Sequence, residues 1–178
     1  MYICLKINTV EQQISFMRKT FYLFIISLLS ITMQAQTTMI TPPYLQKGDT
    51  VAILATARKH IVKSMQPTID LLESWGLNVV IGKSIGLEEN QLAGSDEQRA
   101  ADLQEQLDNP NIKAIWCARG GYGTVRVVDL IDFTLFNKSP KWLVGFSDVT
   151  VLHNHLNTMG YKSIHGIMPI SLAKASKE

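Results

Sequence analysis

From Thr50 onward the chain alternates between short unbroken apolar runs and longer stretches whose apolar residues recur every three or four positions. The runs TVAILATA (50–57), LNVVIG (77–82), IKAIWCA (112–118) and KWLVGF (141–146) have the length of strands. They show no polar alternation, which predicts burial on both faces. KSIHG (162–166) is a candidate fifth strand, and Lys47-Gly48-Asp49 is the turn that leads into the first. Pro67 opens PTIDLLESWG, where Ile69, Leu72 and Trp75 recur at helical spacing and Gly76 closes the helix. Ser95 and Gln98 form a capping-box pattern ahead of RAADLQEQLDNP, a predicted helix ended by Asn109-Pro110. TVRVVDLIDF (124–133) reads as a helix with Val125, Val128 and Ile131 or Leu130 inward, although β-branched residues also form strands. DVTVLHNHLNTMG is a further helix, stopped by Gly160.

Apolar strands alternating with helices predict an α/β domain, a mostly parallel sheet flanked by helices. In such sheets ligands sit beyond the carboxyl ends of the strands, where loops and helix N-termini converge. Two chemically distinctive stretches fall there, Arg119–Gly123 (RGGYG) after the third strand and Ser147–Asp148 after the fourth.

A serine between a buried strand and a helix start is presented on a sharp turn, the arrangement of a nucleophile elbow. The Asp148 N–H would then be an unpaired helix-start donor beside it, and Gly120 and Gly121 can bring a second N–H close. GFSDV lacks the second glycine of G-x-S-x-G, so a serine that merely caps the helix, with Asp148 favouring its dipole, stands as the alternative. GGYGTVR approaches a dinucleotide-binding fingerprint but carries Arg126 at the third glycine position and follows the third strand instead of the first. Arg119 has the geometry to clamp a carboxylate or phosphate, or to brace its loop. His153 and His155 lie two apart on a predicted helix and cannot chelate one metal together. His165 ends a candidate strand at the same sheet edge and can approach the site, but a structural role is expected for all three.

Composition narrows the functional classes. The 178 residues are 46% hydrophobic with a formal net charge of +2, and no basic stripe with aromatics suggests nucleic acid. Cys4 and Cys117 offer neither metal spacing nor a disulfide framework, and Cys117 lies in an apolar run as a small hydrophobe. From Met17, MRKTFYLFIISLLSITMQAQTT has two basic residues, an apolar stretch and small polar residues. This is the layout of a secretory signal peptide cleaved after Ala35 or Gln36, with Met17 as the expected start. The apolar run Phe21–Ile31 is short for a membrane span, which needs about 20 residues. Residues 1–36 are thus expected to be an upstream extension plus signal peptide, and 37–43 a linker. About 140 residues remain, enough for one core.

ARGGYGTVRVVDLIDFTLFNKSPKWLVGFSDVTVLH resembles the N-terminal domain of the LD-carboxypeptidases, serine peptidases that trim murein tetrapeptides and include the microcin-immunity peptidases. R-G-G-Y-G followed about 25 residues later by G-F-S-D is more specific than either motif alone. The likeness covers roughly residues 44–170 and implies a Rossmann-like or flavodoxin-like domain. It implies Ser147 as nucleophile, with N–H groups of Asp148 and of the Gly120–Gly121 turn as the oxyanion hole. On the same ground Arg119 and Tyr122 are expected to contact a murein tetrapeptide or a related peptide with a free C-terminal carboxylate. The reaction implied is hydrolysis of the amide between a diamino acid and a terminal D-alanine, with no metal or organic cofactor. Family members are often dimers. The family's activating glutamate and histidine come from a C-terminal domain, and the chain stops about 30 residues past Ser147 at SLAKASKE, which resembles the start of an interdomain linker. The expectation is a domain nearly inactive alone, completed by a second domain or a separate chain, or else a non-catalytic stem-peptide binding module. His165, in HGIMP, does not correspond to the family's catalytic histidine. The signal peptide implies a periplasmic or secreted location.

Overall fold

The computed structural model describes residues 13–25 and 38–172. Residues 13–25 are helical and belong to a unit, Met1–Thr37, separate from the compact unit formed by the rest of the chain. No helix among the described residues is long and apolar enough to cross a membrane. Cys4, the expected cleavage point at Ala35 and Gln36, and the polar end at 173–178 lie outside the described residues.

The second unit is built on five strands: β1 (Thr50–Leu54), β2 (Asn78–Ile81), β3 (Ile112–Cys117), β4 (Trp142–Gly145) and β5 (Ile164–His165). All pair in parallel, in the order β2-β1-β3-β4-β5. The helices are α1 (Gln66–Ser74), α2 (Asp96–Asp108), α3 (Thr134–Lys138), α4 (Thr150–Thr158) and α5 (Pro169–Leu172). The α/β architecture read from the sequence is the one observed.

β1, β3 and β4 send alternate residues to two apolar layers. Ala52 and Leu54 of β1, Ile115 and Cys117 of β3 and Leu143 of β4 pack against Leu103 and Leu107 of α2, Phe136 of α3, and Leu152 and Leu156 of α4. On the opposite face Val51, Ile53, Ala114 and Trp116 meet Met65, Leu72 and Leu77. Burying β1 and β3 on both sides is what makes their sequences continuously apolar. β2 departs from that expectation: it is an edge strand, and Val80 on it is exposed.

The Ser95 capping box forms as expected: the Gln98 N–H donates to Ser95 Oγ, and the Gln98 side chain accepts from the Ser95 N–H at 2.9 Å. Trp75 does not face inward; it caps α1 and is exposed, with Gly76 turning the chain at φ +80°. The ten-residue helix expected over 124–133 is replaced by two 3-10 turns, Thr124–Arg126 and Val128–Leu130. Their bonds run from Arg126 to Gly123, Val127 to Thr124 and Leu130 to Val127, all three residues apart. Gln104 takes both backbone groups of Asp132, accepting from its N–H and donating to its carbonyl at 2.8 Å each, which removes them from any helical ladder. Val127 and Val128 are therefore buried, while Val125 and Leu130 are exposed. The residues expected as a linker attach to the domain at two points. Ile40 bridges Tyr161 in parallel, and Trp142 Nε1–H donates to the Pro43 carbonyl at 2.9 Å.

Candidate active site

The strand order reverses between β1 and β3, and ligands of parallel sheets sit at the carboxyl ends of the strands at such a switch point. Ala55–His60 leaves β1, Ala118–Gly123 leaves β3, and Phe146–Asp148 leaves β4 next to it.

Ser147 is exposed and has φ +60°; Asn90 is the other non-glycine residue with positive φ among those described. An L-residue in this region is held at a cost of about 1–2 kcal/mol, so the surrounding structure must impose it. The imposing elements are β4 on one side and, on the other, the turn Ser147–Val149 that runs directly into α4. Gly145 makes the bend feasible. A Cβ there would lie 2.9 and 3.0 Å from the two methyl carbons of Val149. Val149 occupies the place of the second glycine in G-x-S-x-G, and its branched side chain fits because Gly145 has none. The Gly145 carbonyl accepts from the Gly166 N–H and from His153 Nε2–H, both at 2.9 Å, fixing the strand end.

The glycine turn lies against the serine. A Cβ on Gly120 would be 3.3 Å from Ser147 Cβ and 3.4 Å from Ser147 Oγ. Gly121 has φ +131°, and a Cβ there would meet Arg58 Cγ at 2.5 Å. Asp148 ties the loops together, its Oδ2 accepting from the Thr124 N–H at 2.9 Å. Thr124 Oγ1 in turn lies 2.8 Å from Thr56 Oγ1 on the β1 loop. The Asp148 carboxylate is therefore a brace, while its N–H stands in the first turn after Ser147.

Beneath the turn sits Arg99, fully buried, which the sequence reading did not single out. Its Nη1 donates to the Thr56 carbonyl at 2.5 Å and the Gly123 carbonyl at 3.1 Å, and its Nη2 pairs with Asp96. Arg126 Nη2 reaches the other Asp96 oxygen at 2.6 Å. One buried guanidinium thus joins the β1 and β3 loops from the N-terminal turns of α2. The available signal was periodic: Arg99 shares an inward stripe with Asp102, Leu103 and Gln106.

The other expected residues are spread around this centre. Arg119 Nη1 donates to the Lys59 carbonyl at 3.3 Å, so it braces the β1 loop. Tyr122 is exposed on the turn. His153 is buried, its Nε2–H on the Gly145 carbonyl and its Nδ1 2.7 Å from Ser163 Oγ. Burial holds its pKa below the ordinary histidine value, against the hydrogen bond to Gly145. His155 stacks on Phe133 with ring centroids 4.5 Å apart. His165 is exposed on β5, its ring 6.3 Å from Phe146 and 5.8 Å from His153. His60, on the β1 loop, is kept below its ordinary pKa by burial and by the Arg119 charge. Cys117 is completely buried, which pushes its thiol up to about 12. Among the described residues Ser147 Oγ has no hydrogen-bond partner.

Fold and site together define a parallel α/β domain with a strained serine at a strand-to-helix elbow, packed on a glycine turn beside the strand switch point. The LD-carboxypeptidase N-terminal domain matches residues 51–166, and the chain belongs to that family. It is 43% identical over 129 residues to a probable murein peptide carboxypeptidase of Bacillus subtilis (strain 168), covering 71% of this chain and 40% of the relative. The solved muramoyltetrapeptide carboxypeptidase of Oxalobacter formigenes is 31% identical with a TM-score of 0.59, covering 67% of this chain and 40% of that one. The microcin C7 self immunity protein MccF, solved in complex with aspartyl sulfamoyl adenosine, shares the fold at TM-score 0.71 and 22% identity, over 79% of this chain and 42% of its own. The chain spans about two fifths of the length of these relatives.

Proposed function

We propose that this domain carries the nucleophile of a serine LD-carboxypeptidase that removes the terminal D-alanine from murein tetrapeptides. The positive φ of Ser147 carries the reading: an ordinary helix cap needs no such backbone, whereas a nucleophile raised above a sheet does. In the proposed reaction Ser147 Oγ attacks the carbonyl carbon of the diamino acid. The N–H groups of Asp148 and of the Gly120–Gly121 turn receive the developing oxyanion. The C–N bond then breaks, D-alanine leaves with a proton on its amine, and water hydrolyses the acyl-serine.

A serine hydroxyl needs a base to reach useful nucleophilicity. His153 is committed to Gly145 and Ser163, His155 to Phe133 and His60 to Ser64, and His165, exposed on β5 against Phe146, makes no hydrogen bond to Ser147. The proposal therefore assigns the activating histidine and its acid to a second domain or chain, in keeping with the greater length of the relatives. The partnerless Ser147 Oγ also favours the second reading, a module that binds stem peptides without cleaving them. The N-terminal segment from Met17 is proposed to direct export, placing the domain beside its polymer.

The test is release of free D-alanine from murein tetrapeptide by the 178-residue chain, with Ser147→Ala as control. The expected result is saturable peptide binding with no release above the control. Serine-dependent release by the chain alone would show that a base lies within it and refute the second-domain assignment. Failure to bind the peptide at all would refute the murein reading.

A further inference from the structure

A carboxypeptidase must recognise a free carboxylate close to the bond it cuts. In the substrate that carboxylate carbon is separated from the scissile carbonyl carbon by one amide nitrogen and one Cα, roughly 3–4 Å in space. The group that binds it therefore has to lie beside the oxyanion turn.

The loops at the switch point carry several cations, and the structure accounts for nearly all of them. Lys59 is paired with Glu88, and both Arg99 and Arg126 with Asp96. Arg119 is partly buried and donates to the Lys59 carbonyl. Asp148, the carboxylate nearest the serine in sequence, accepts from the Thr124 N–H. Arg58 differs from the other cations. It is exposed, and among the described residues its guanidinium has neither a carboxylate nor a hydrogen-bond partner.

Its side chain is nonetheless placed. The stem crosses Gly121 so closely that a Cβ there would lie 2.5 Å from Arg58 Cγ, 2.8 Å from Cδ and 3.1 Å from Nε. Gly120, the neighbour of Gly121, is the residue packed against Ser147. Arg58 and Ser147 thus flank one glycine dipeptide, whose Cα atoms are about 3.8 Å apart. The Arg58 backbone is fixed as well. Arg58 bridges Leu92 in antiparallel fashion, with the Lys59 N–H donating to Gln91 O at 3.1 Å and the Ala93 N–H to Ala57 O at 3.0 Å. A guanidinium on a pinned backbone, with its fork unspent, suits a carboxylate and loses little freedom on binding one.

We infer that Arg58 is the specificity-determining residue that binds the free C-terminal carboxylate of the substrate's leaving amino acid, across Gly121 from the nucleophile. Arg119, the arginine within the glycine motif itself, acts by holding the β1 loop that carries Arg58. This rests on the murein-peptide reading above.

The experiment titrates the isotopically labelled 178-residue chain with murein tetrapeptide and with the same peptide amidated at its C-terminus, following amide chemical shifts. Wild type is expected to prefer the acid by about tenfold to a hundredfold, the range of one charge-assisted hydrogen-bonded contact. Arg58→Gln should bring acid binding to the amide level while leaving amide binding unchanged, and Arg58→Lys should recover part of the preference. Because the side chain is exposed, both variants should keep the wild-type spectrum elsewhere. A preference that survives Arg58→Gln, or that disappears in Arg119→Gln with the β1-loop shifts unmoved, would overturn the assignment. Equal binding of acid and amide by wild type would overturn the Arg58 role and leave the murein reading intact. Binding of neither peptide would overturn both.

Discussion

Replacing Gly145 with alanine tests whether the serine elbow is held by the fit of Val149 into the space above that glycine. The new Cβ would stand 2.9, 3.0 and 3.1 Å from Val149 Cγ1, Cγ2 and Cβ, where carbon pairs are at ease at about 3.5–4.0 Å. All three contacts are with a buried side chain directly after the elbow, so neither partner can swing into solvent. The Gly145 carbonyl is also held from both sides by Gly166 and His153, which limits backbone relief. Overpacking of this kind costs about 1–3 kcal/mol. Val149→Ala alone leaves a small cavity and is expected to cost about 1–2 kcal/mol. In the double variant the two methyl contacts disappear and only the 3.1 Å contact with the Cβ of residue 149 remains, so the two losses should not add: it should be more stable than their sum by about 1 kcal/mol. The assay is urea unfolding of wild type, both single variants and the double variant, followed by far-UV circular dichroism. Additivity within about 0.5 kcal/mol would refute the claim that these two side-chain positions are coupled.

Three further outcomes are expected. Ser147→Gly should raise unfolding stability by about 0.5–1 kcal/mol, since glycine accepts φ +60° freely, while Ser147→Ala should give no such gain; equal stabilities in a denaturation series would contradict the strain. Arg99→Met should lower stability by about 2–3 kcal/mol, because the Thr56 and Gly123 carbonyls lose a buried donor while Asp96 keeps Arg126; a change below about 0.5 kcal/mol would show that the loops do not depend on it. Lys141 is buried with its ammonium on the Gln106 and Asn109 carbonyls, and burial and then Lys113 lower its pKa to about 8. Between about pH 8 and 10.5 the unfolded chain binds more protons at this residue, so its contribution to stability should rise with pH across that window; Lys141→Met should flatten the difference in unfolding midpoints.

Much of this fold was readable because its strongest determinants are local. Continuous apolar runs identified the strands, and the Ser95–Gln98 box located the start of α2 to the residue. The 124–133 segment departs from the helix its pattern predicts because its conformation is set from outside it, by Asp148 and Arg99 at its start and by Gln104 at Asp132. No local pattern reports a partner 24 or 28 residues away. The site divides in the same manner. Ser147 between an apolar run and a helical stretch was visible, but its positive φ, which separates an elbow from a cap, exists only in three dimensions. Arg58 carries no local signal, because its placement depends on Gly121, more than sixty positions further on, against which its side chain packs.

The strand order also bears on how the domain is made. β1 is synthesised first among the strands yet occupies an interior position, between β2 and β3. Its two neighbours leave the ribosome about 30 and about 60 residues later. In that interval the apolar residues Val51, Ile53 and Leu54 lack one of the two strands they pair with in the folded sheet, and an unpaired apolar edge is a template on which chains pair with one another. Slowing translation ahead of Ile112–Cys117 is therefore expected to lower the soluble yield more than slowing it afterwards.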